Sequence, residues 1–510
     1  IFKRKMLISY LLSYRTLVSD KKLIHLIDNK TVTAFNGYCK SISNLKGIEM
    51  DGLYVQFFAS LSGILVVFCG GIHIGWSIFH LNIEGNKWAL GITIDELRFA
   101  ILSFFTGVGF ILICISFMKD WFATKYWMLM SAFFMVINGI FFIAMPIDYG
   151  ATVATRIIAG FGHGISHSVM LCYIGEIASA QYRGKLICLL TASITAGIAV
   201  FSVISMVTTN PVYVSEPAMH PNLALGIIIL PLSTLAFVLA IFLAIESPIN
   251  TLYRGNSESD AQKNLLNFRQ RSAKTTIITD EFNDMKLLVL DSTVFSKCMI
   301  TEGNFKPFQL ALTLKLSNLL YYNYTMNLSK MLFMSLMFDV SLKDINWAPS
   351  ILMLTKCVAA LLAVFLIDVF PRRIQYTISS LTTGTFLLAF GIVLATYDSV
   401  EVWVAPFLFI TAEVFNAIAM HPMPDILLSE IFPLKKKTLS INSILICEYV
   451  GHMIVYIIYF NVPSNLQSTY IKTIVFGSVI ILKSFIGLLA IPDTRSKTHR
   501  EVIDLLQKGH

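Results

Sequence analysis

The chain has 510 residues, of which 55% are hydrophobic and 14% charged, and its mean hydropathy is +0.70. A composition this apolar, gathered in runs of about 20 residues, excludes a soluble domain and defines an all-α membrane protein. The net charge of +8 does not point to nucleic acid, because the positive residues are sorted by position between the apolar runs.

Residues 1–53 are basic and mixed and contain no long apolar run. They read as a cytoplasmic arm with little fixed structure, either touching anionic lipid or serving as a plain extension. The apolar stretch Met6 to Leu12 is too short for a cleavable signal peptide and lacks a small-residue cleavage site. The chain starts at Ile1 rather than Met, so more chain can precede it. Twelve apolar runs follow, at about 54–80, 97–118, 126–146, 152–175, 186–208, 223–245, 307–328, 347–367, 374–396, 402–428, 439–460 and 472–491. Each is long enough to cross a bilayer.

With the N-terminus in the cytoplasm, 30 Lys and Arg fall on the cytoplasmic side and 4 outside (Lys87, Lys330, Lys343, Lys472), with 5 more in or at the edge of helices. That asymmetry orients the chain with both termini inside. The resulting layout is a cytoplasmic arm (1–53), a six-helix bundle (54–245), a cytoplasmic linker (246–306), a second six-helix bundle (307–492) and a cytoplasmic tail (493–510). In the linker, Ser259-Asp260 can cap a helix over Ala261 to Arg271, and a second short helix fits Asp280 to Leu290. The apolar sides of both would face the ends of the bundles. The 8 Cys are scattered without a CxxC, which reads as free buried thiols rather than disulfides or a metal site.

The fourth run carries small residues at four-residue steps, Gly160, Gly164 and Ser168, a spacing that lets membrane helices approach closely. It ends at Glu176, with Arg183-Gly184 after a short turn. The same plan of helix, acid, turn and base returns late in the chain. There Pro422 and Pro424 break an apolar run ending in Glu430-Ile-Phe-Pro, followed by Lys435, Lys436 and Lys437. Two turns, Lys119-Asp120 to Lys125 and Asp368 to Arg372-Arg373, also match each other. Such repetition marks two related halves, a common transporter plan.

The segments YIGEIASAQYRG, ESPINTLYRG, DVFPRR, LSEIFPLKKK and IPDTRSKTHREVIDLL together resemble the markers of the sugar-porter branch of the major facilitator superfamily. The resemblance is nearest to the insect facilitated-trehalose-transporter group and covers about residues 54–506. It implies two six-helix bundles around a central site and transport by alternating access. It also implies that Asp120, Glu176, Arg183, Asp368, Arg372, Arg373, Glu430 and Lys437 form ion pairs at a cytoplasmic gate. The competing reading of these charges is ordinary positive-inside decoration.

The centre departs from the family pattern. The Gly-Arg of the first turn is Ala123-Thr124, and the sugar-contacting Gln of the fifth helix falls on Thr191. The seventh run reads LTLKLSNLLYYNY, without the family's Gln pair. The tenth has Asp425 where the family has Trp, and the eleventh has Glu448-Tyr449 for Asn-Trp. Amides and an aromatic face suit a sugar, whereas carboxylates only accept hydrogen bonds when ionised.

Thr191, Ser317, Asn318, Asp425, Glu448 and Tyr449 are therefore the candidate solute-binding residues. Asp425 and Glu448 serve either the solute or a proton, or else pair with Lys315 or a His and hold the bundle together. His163 and His167, one turn apart, give too few ligands for a metal site. Asn327-Leu-Ser329 is a glycosylation sequon with little weight alone. No metal or cofactor is expected, and neither a phosphate loop nor a nucleophile–base pair suggests an enzyme. The expected partners are a small-molecule solute and the bilayer, not nucleic acid. The function expected is transport of a sugar of the trehalose or hexose type across the plasma membrane. The alternatives are a divergent porter for a non-sugar, cationic or proton-coupled solute, and a transport-dead solute sensor.

Overall fold

The computed structural model describes residues 29–80, 93–209, 220–255, 257–269, 276–294, 305–338, 348–396, 404–461 and 466–507. The chain divides into two compact units, residues 1–54 and residues 55–510. Helix α1 runs from Asn29 to His80, so residues 29–53 of the basic arm are helical, against the expectation of little fixed structure. No proline interrupts that stretch.

Six spanning helices form the first half: the apolar part of α1, then α2 (Ile94–Met118), α3 (Thr124–Ala144), α4 (Tyr149–Ile177), α5 (Arg183–Thr209) and α6 (Pro221–Leu243). Between the halves lie α7 (Pro248–Tyr253), α8 (Glu258–Phe268) and α9 (Thr276–Val294). The second half holds α10 (Phe305–Phe338), α11 (Ala348–Leu366), α12 (Arg372–Ala395), the broken pair α13 (Val404–Phe415) and α14 (Met423–Glu430), α15 (Leu434–Asn461) and α16 (Leu466–Ala490). A short α17 (His499–Gln507) closes the chain. Nine of these helices are long and apolar enough to span a membrane by composition among the described residues. α10, α11 and the α13–α14 pair complete the twelve; the last is interrupted by its prolines.

The halves repeat each other in packing. In the first, α3 lies on α6, where a Cβ on Gly139 would stand 2.9 Å from Leu230 Cα. In the second, α12 lies on α16, where a Cβ on Gly477 would stand 2.7 Å from Leu388 N. These are the third and sixth spans of each half. Only glycine allows backbones this close.

The α13–α14 break follows from its prolines. Pro422 and Pro424 supply no N–H, so carbonyls one turn earlier lose their helical donors. Residues Asn416–Met420 form a wide π turn. Side chains satisfy the backbone here: Asn318 Nδ2 donates to the freed Met420 O at 2.7 Å, and Ser379 Oγ bridges the wide turn, donating to Phe415 O at 2.6 Å and accepting from Met420 N at 3.1 Å.

The linker helices pack as expected from their apolar sides. Ile249, Ala261, Leu265, Ile278, Phe282, Met285 and Leu288 form one core, with Leu434 of α15 and Ile503 of α17 against it. Two boundaries differ from the sequence reading. Ser257, not Ser259, caps α8 through its hydroxyl, and α9 is longer, beginning at Thr276.

Candidate functional site

The two halves meet along two seams. In one, α5 packs on α11 through Ala192, Ala359 and Ala360, and Ser350 Oγ donates to Ser202 O at 2.8 Å. In the other, α2 and α4 pack on α15. There Asn442 Nδ2 donates to Leu112 O at 3.2 Å and to Ser116 Oγ at 3.1 Å, and Ser168 Oγ donates to Asn442 Oδ1.

Between the halves the structure brings three of the candidates, Thr191, Asp425 and Glu448, together with Lys315 into one buried cluster. Lys315 Nζ of α10 lies 2.6 Å from Asp425 Oδ1 of α14 and 2.9 Å from Glu448 Oε2 of α15. Thr191 of α5 reaches over from the first half and donates to Asp425 Oδ2 at 3.1 Å. Lys315 and Asp425 are almost fully buried. The ammonium therefore stands between the two carboxylates and relieves their mutual repulsion. Both carboxylates pair with Lys315, one of the partners that the sequence offered for them.

Tyr449, the neighbour of Glu448, faces the other half. Its hydroxyl lies 2.7 Å from His163 Nε2 and 3.0 Å from His167 Nδ1, both on α4. The two remaining candidates sit apart. Ser317 Oγ donates back to Leu314 O of its own helix at 2.9 Å. Asn318 holds the broken helix, and its Oδ1 accepts from Lys483 Nζ at 3.0 Å. No group of three or more His, Cys, Asp or Glu with metal-binding geometry occurs among the described residues.

The charges at one end form a latch. Arg372, fully buried at the start of α12, binds Glu430 through Nη1, while its Nη2 lies 3.5 Å from Asp368 Oδ1. Arg183, which opens α5 in the first half, reaches the same Glu430 at 3.9 Å. Asp368 also accepts from the Lys185 amide of the first half at 3.0 Å. One acid thus holds two arginines, one from each half. Burial, together with the Glu430 charge and against that of Arg372, holds the Asp368 carboxyl above its ordinary range.

Several expected gate residues have other roles. Glu176 does not pair with Arg183. It is buried near Lys437, whose Nζ stands 2.7 Å from where a Cβ of Gly175 would lie, and neither makes an ion pair within 4 Å among the described residues. Arg373 donates to Ile491 O at 2.8 Å rather than to an acid. The Asp120 side chain lies outside the described residues, as do the side chains of Asn327 and Ser329 and the outer residues Lys87 and Lys343.

The sequence reading missed the part played by the tail. Thr494 accepts from Arg372 Nη1. His499 spans both halves, its Nε2 at 2.5 Å from Gly175 O and its Nδ1 at 3.4 Å from Glu430 O. Burial, then the charges of Arg183 and Lys437, hold the His499 imidazole well below its ordinary range. Lys356, which could pair or snorkel by its sequence, pairs with Glu413 at 2.7 Å, with Tyr321 OH donating to the same carboxylate at 2.9 Å.

Twelve helices in two repeated halves, a polar cluster between them and a latch at one end define a secondary transporter of the major facilitator class. The sequence profile of the family described as "Sugar (and other) transporter" matches residues 95–506, and the chain belongs to that family. It is 22% identical over 477 residues to the galactose-proton symporter of Escherichia coli K12, covering 89% of this chain and 94% of that one. It is 22% identical to the facilitated trehalose transporter Tret1 of Apis mellifera ligustica, covering 71% of this chain and 70% of that one. Among solved structures, it is similar to the proton:xylose symporter XylE bound to 6-bromo-6-deoxy-D-glucose, with TM-score 0.71, 17% identity, 89% of this chain and 99% of that chain.

Proposed function

We propose that the protein carries a small sugar-type solute across the plasma membrane by alternating access. The supporting observation is that one set of polar contacts at the latch and one at the centre both cross between the halves. Rocking the halves apart at the latch end would break Arg183–Glu430 and the Lys185–Asp368 contact together. Rocking at the other end would leave them intact. This is the coupling that alternating access requires.

In this reading the latch end, the linker helices and both termini lie in the cytoplasm. The sorting of 30 Lys and Arg against 4 supports that orientation. Thr191, Asp425, Glu448 and Tyr449 line the path as the halves separate. The test is uptake and counterflow of labelled galactose, xylose, trehalose and glucose in vesicles holding the purified protein. Exchange of at least one above empty vesicles is expected. Exchange of none, by protein shown to be folded, would overturn the reading.

A further inference from the structure

The centre places two carboxylates, Asp425 and Glu448, on one ammonium, Lys315. With all three ionised, the cluster carries one negative charge in surplus. The charges acting on Glu448 are those of Lys315 and Asp425. The other buried cations of the membrane region have contacts of their own. Lys356 is matched by Glu413. Lys483 Nζ donates to Asn318 Oδ1 and lies over the Tyr376 ring. Arg156 donates to Ala100 O at 2.8 Å and to Ser77 Oγ. A buried surplus charge is costly, so a cation entering the cluster is favoured. Such a cation meets two carboxylates and one ammonium, and at equal distance attraction exceeds repulsion. Hydrogen-bond capacity points the same way. Two ionised carboxylates accept about eight hydrogen bonds, whereas the N–H groups of Lys315 and the Thr191 hydroxyl supply about four.

Beside this cluster stand groups fit for hydroxyls. Tyr449 OH lies 2.7 Å from His163 Nε2 and 3.0 Å from His167 Nδ1. When each ring holds one proton, both contacts are satisfied if the hydroxyl donates to one ring and accepts from the other. The outer nitrogens, His163 Nδ1 and His167 Nε2, are then one donor and one acceptor. Both are buried and have no hydrogen-bond partner among the described residues. Unpaired buried polar atoms are rare, and this pair suits a hydroxyl group, which donates and accepts at once. Both rings feel the Lys315 charge, which places them beside the carboxylate cluster.

We infer that the solute is an amino sugar, a monosaccharide bearing one ammonium group. Its ammonium lies against Asp425 and Glu448, away from Lys315, and brings the cluster to zero charge. Its hydroxyls meet Thr191, Tyr449 and the outer nitrogens of His163 and His167. No bond forms or breaks, and no proton moves. A neutral sugar leaves the surplus charge in place. Thr191 and the histidines belong to the first half, and Lys315, the carboxylates and Tyr449 to the second. Separation of the halves at one end therefore admits the solute between them, and closure buries it. The inference rests on the transporter reading and names the substrate class of that same site.

The test compares D-glucosamine, which is charged, with D-glucose and N-acetyl-D-glucosamine, which are neutral. Binding to the purified protein in detergent is titrated at about pH 6.5, where an alkylammonium is charged. Wild type should bind glucosamine at least about tenfold tighter than either neutral sugar, the low end of couplings between close charges. Asp425→Asn leaves one carboxylate against Lys315 and should abolish that preference. Glu448→Gln, at the less buried of the two acids, should do the same and decides the matter if Asp425→Asn does not fold. Equal, weaker or absent binding of glucosamine by wild type overturns the inference, as does a preference that survives in a folded variant. Counterflow of the labelled sugars in vesicles separates this from the transporter reading. Glucose exchange without a preference for glucosamine leaves transport standing and overturns the amino sugar. Preferential glucosamine binding without exchange of any sugar strikes the transporter reading while the binding site stands.

Discussion

Arg183 of the first half and Glu430 of the second stand 3.9 Å apart, both buried, with Arg372 bound to the same carboxylate. Glu430 is thus the shared partner of two guanidinium groups that belong to different halves. Removing one member of a buried charge group costs about 3–5 kcal/mol, because it strands the others.

Glu430→Gln should therefore destabilise the closed latch. Native Cys172 is a reporter: it is buried on α4, with its Sγ 3.8 Å from Thr438 Oγ1 across the seam. Its labelling by a membrane-permeant maleimide should rise by at least about tenfold, the factor that corresponds to 1.4 kcal/mol. An unchanged rate in folded protein would reduce the latch charges to decoration.

Gly184 tests the same closure sterically. A Cβ there would stand 2.1 Å from Asp368 Oδ1, a carboxylate held by Arg372 and the Lys185 amide. Gly184→Ala should speed Cys172 labelling although it changes no charge. The same rate as wild type would mean that Asp368 moves aside freely.

The latch should also respond to acid through His499. Its imidazole is held well below the ordinary range when the latch is closed, and an open latch would return it toward about 6.5. The open state therefore binds more protons, and closure loses stability as pH falls below about 6.5. Cys172 labelling, taken relative to a free thiol at each pH because the thiolate is the reactive form, should rise as pH falls from about 7.5 to about 5.5. His499→Leu, which cannot ionise, should flatten that rise. A rise of equal size in the variant would assign it to another group.

Lys356, Glu413 and Tyr321 form a separate buried set within the second half. Lys356→Met should lower stability by about 3–5 kcal/mol by stranding Glu413. Lys356→Met with Glu413→Gln should recover most of that loss. Thermal unfolding in detergent reads both; a double variant as unstable as the single would show that the charges do not act as a pair.

Much of the frame was legible because membrane spans are a one-dimensional signal. The broken tenth span was readable from Pro422 and Pro424, and the two-fold plan from the matched acid–turn–base segments. What register and spacing could not give were the partners. Glu176 and Arg183 lie seven residues apart, yet Arg183 turns to an acid 247 positions away in sequence, Glu430. For Asp425 and Glu448 the sequence offered Lys315 or a His as partner, and only the packing of α10 against α14 and α15 shows it to be Lys315. His499 lies in the tail and gains its role only where it meets Gly175 O and Glu430 O, one in each half. Such contacts depend on how helices distant in the chain are brought side by side.

The most direct measurement is counterflow of labelled sugar in vesicles by wild type and by Arg372→Ala. Arg372 ties Glu430, Asp368 and Thr494 together. Alternating access predicts that wild type exchanges sugar and that Arg372→Ala, still folded, loses most of the exchange while Cys172 becomes readily labelled. Full exchange by Arg372→Ala with Cys172 still protected would contradict the account.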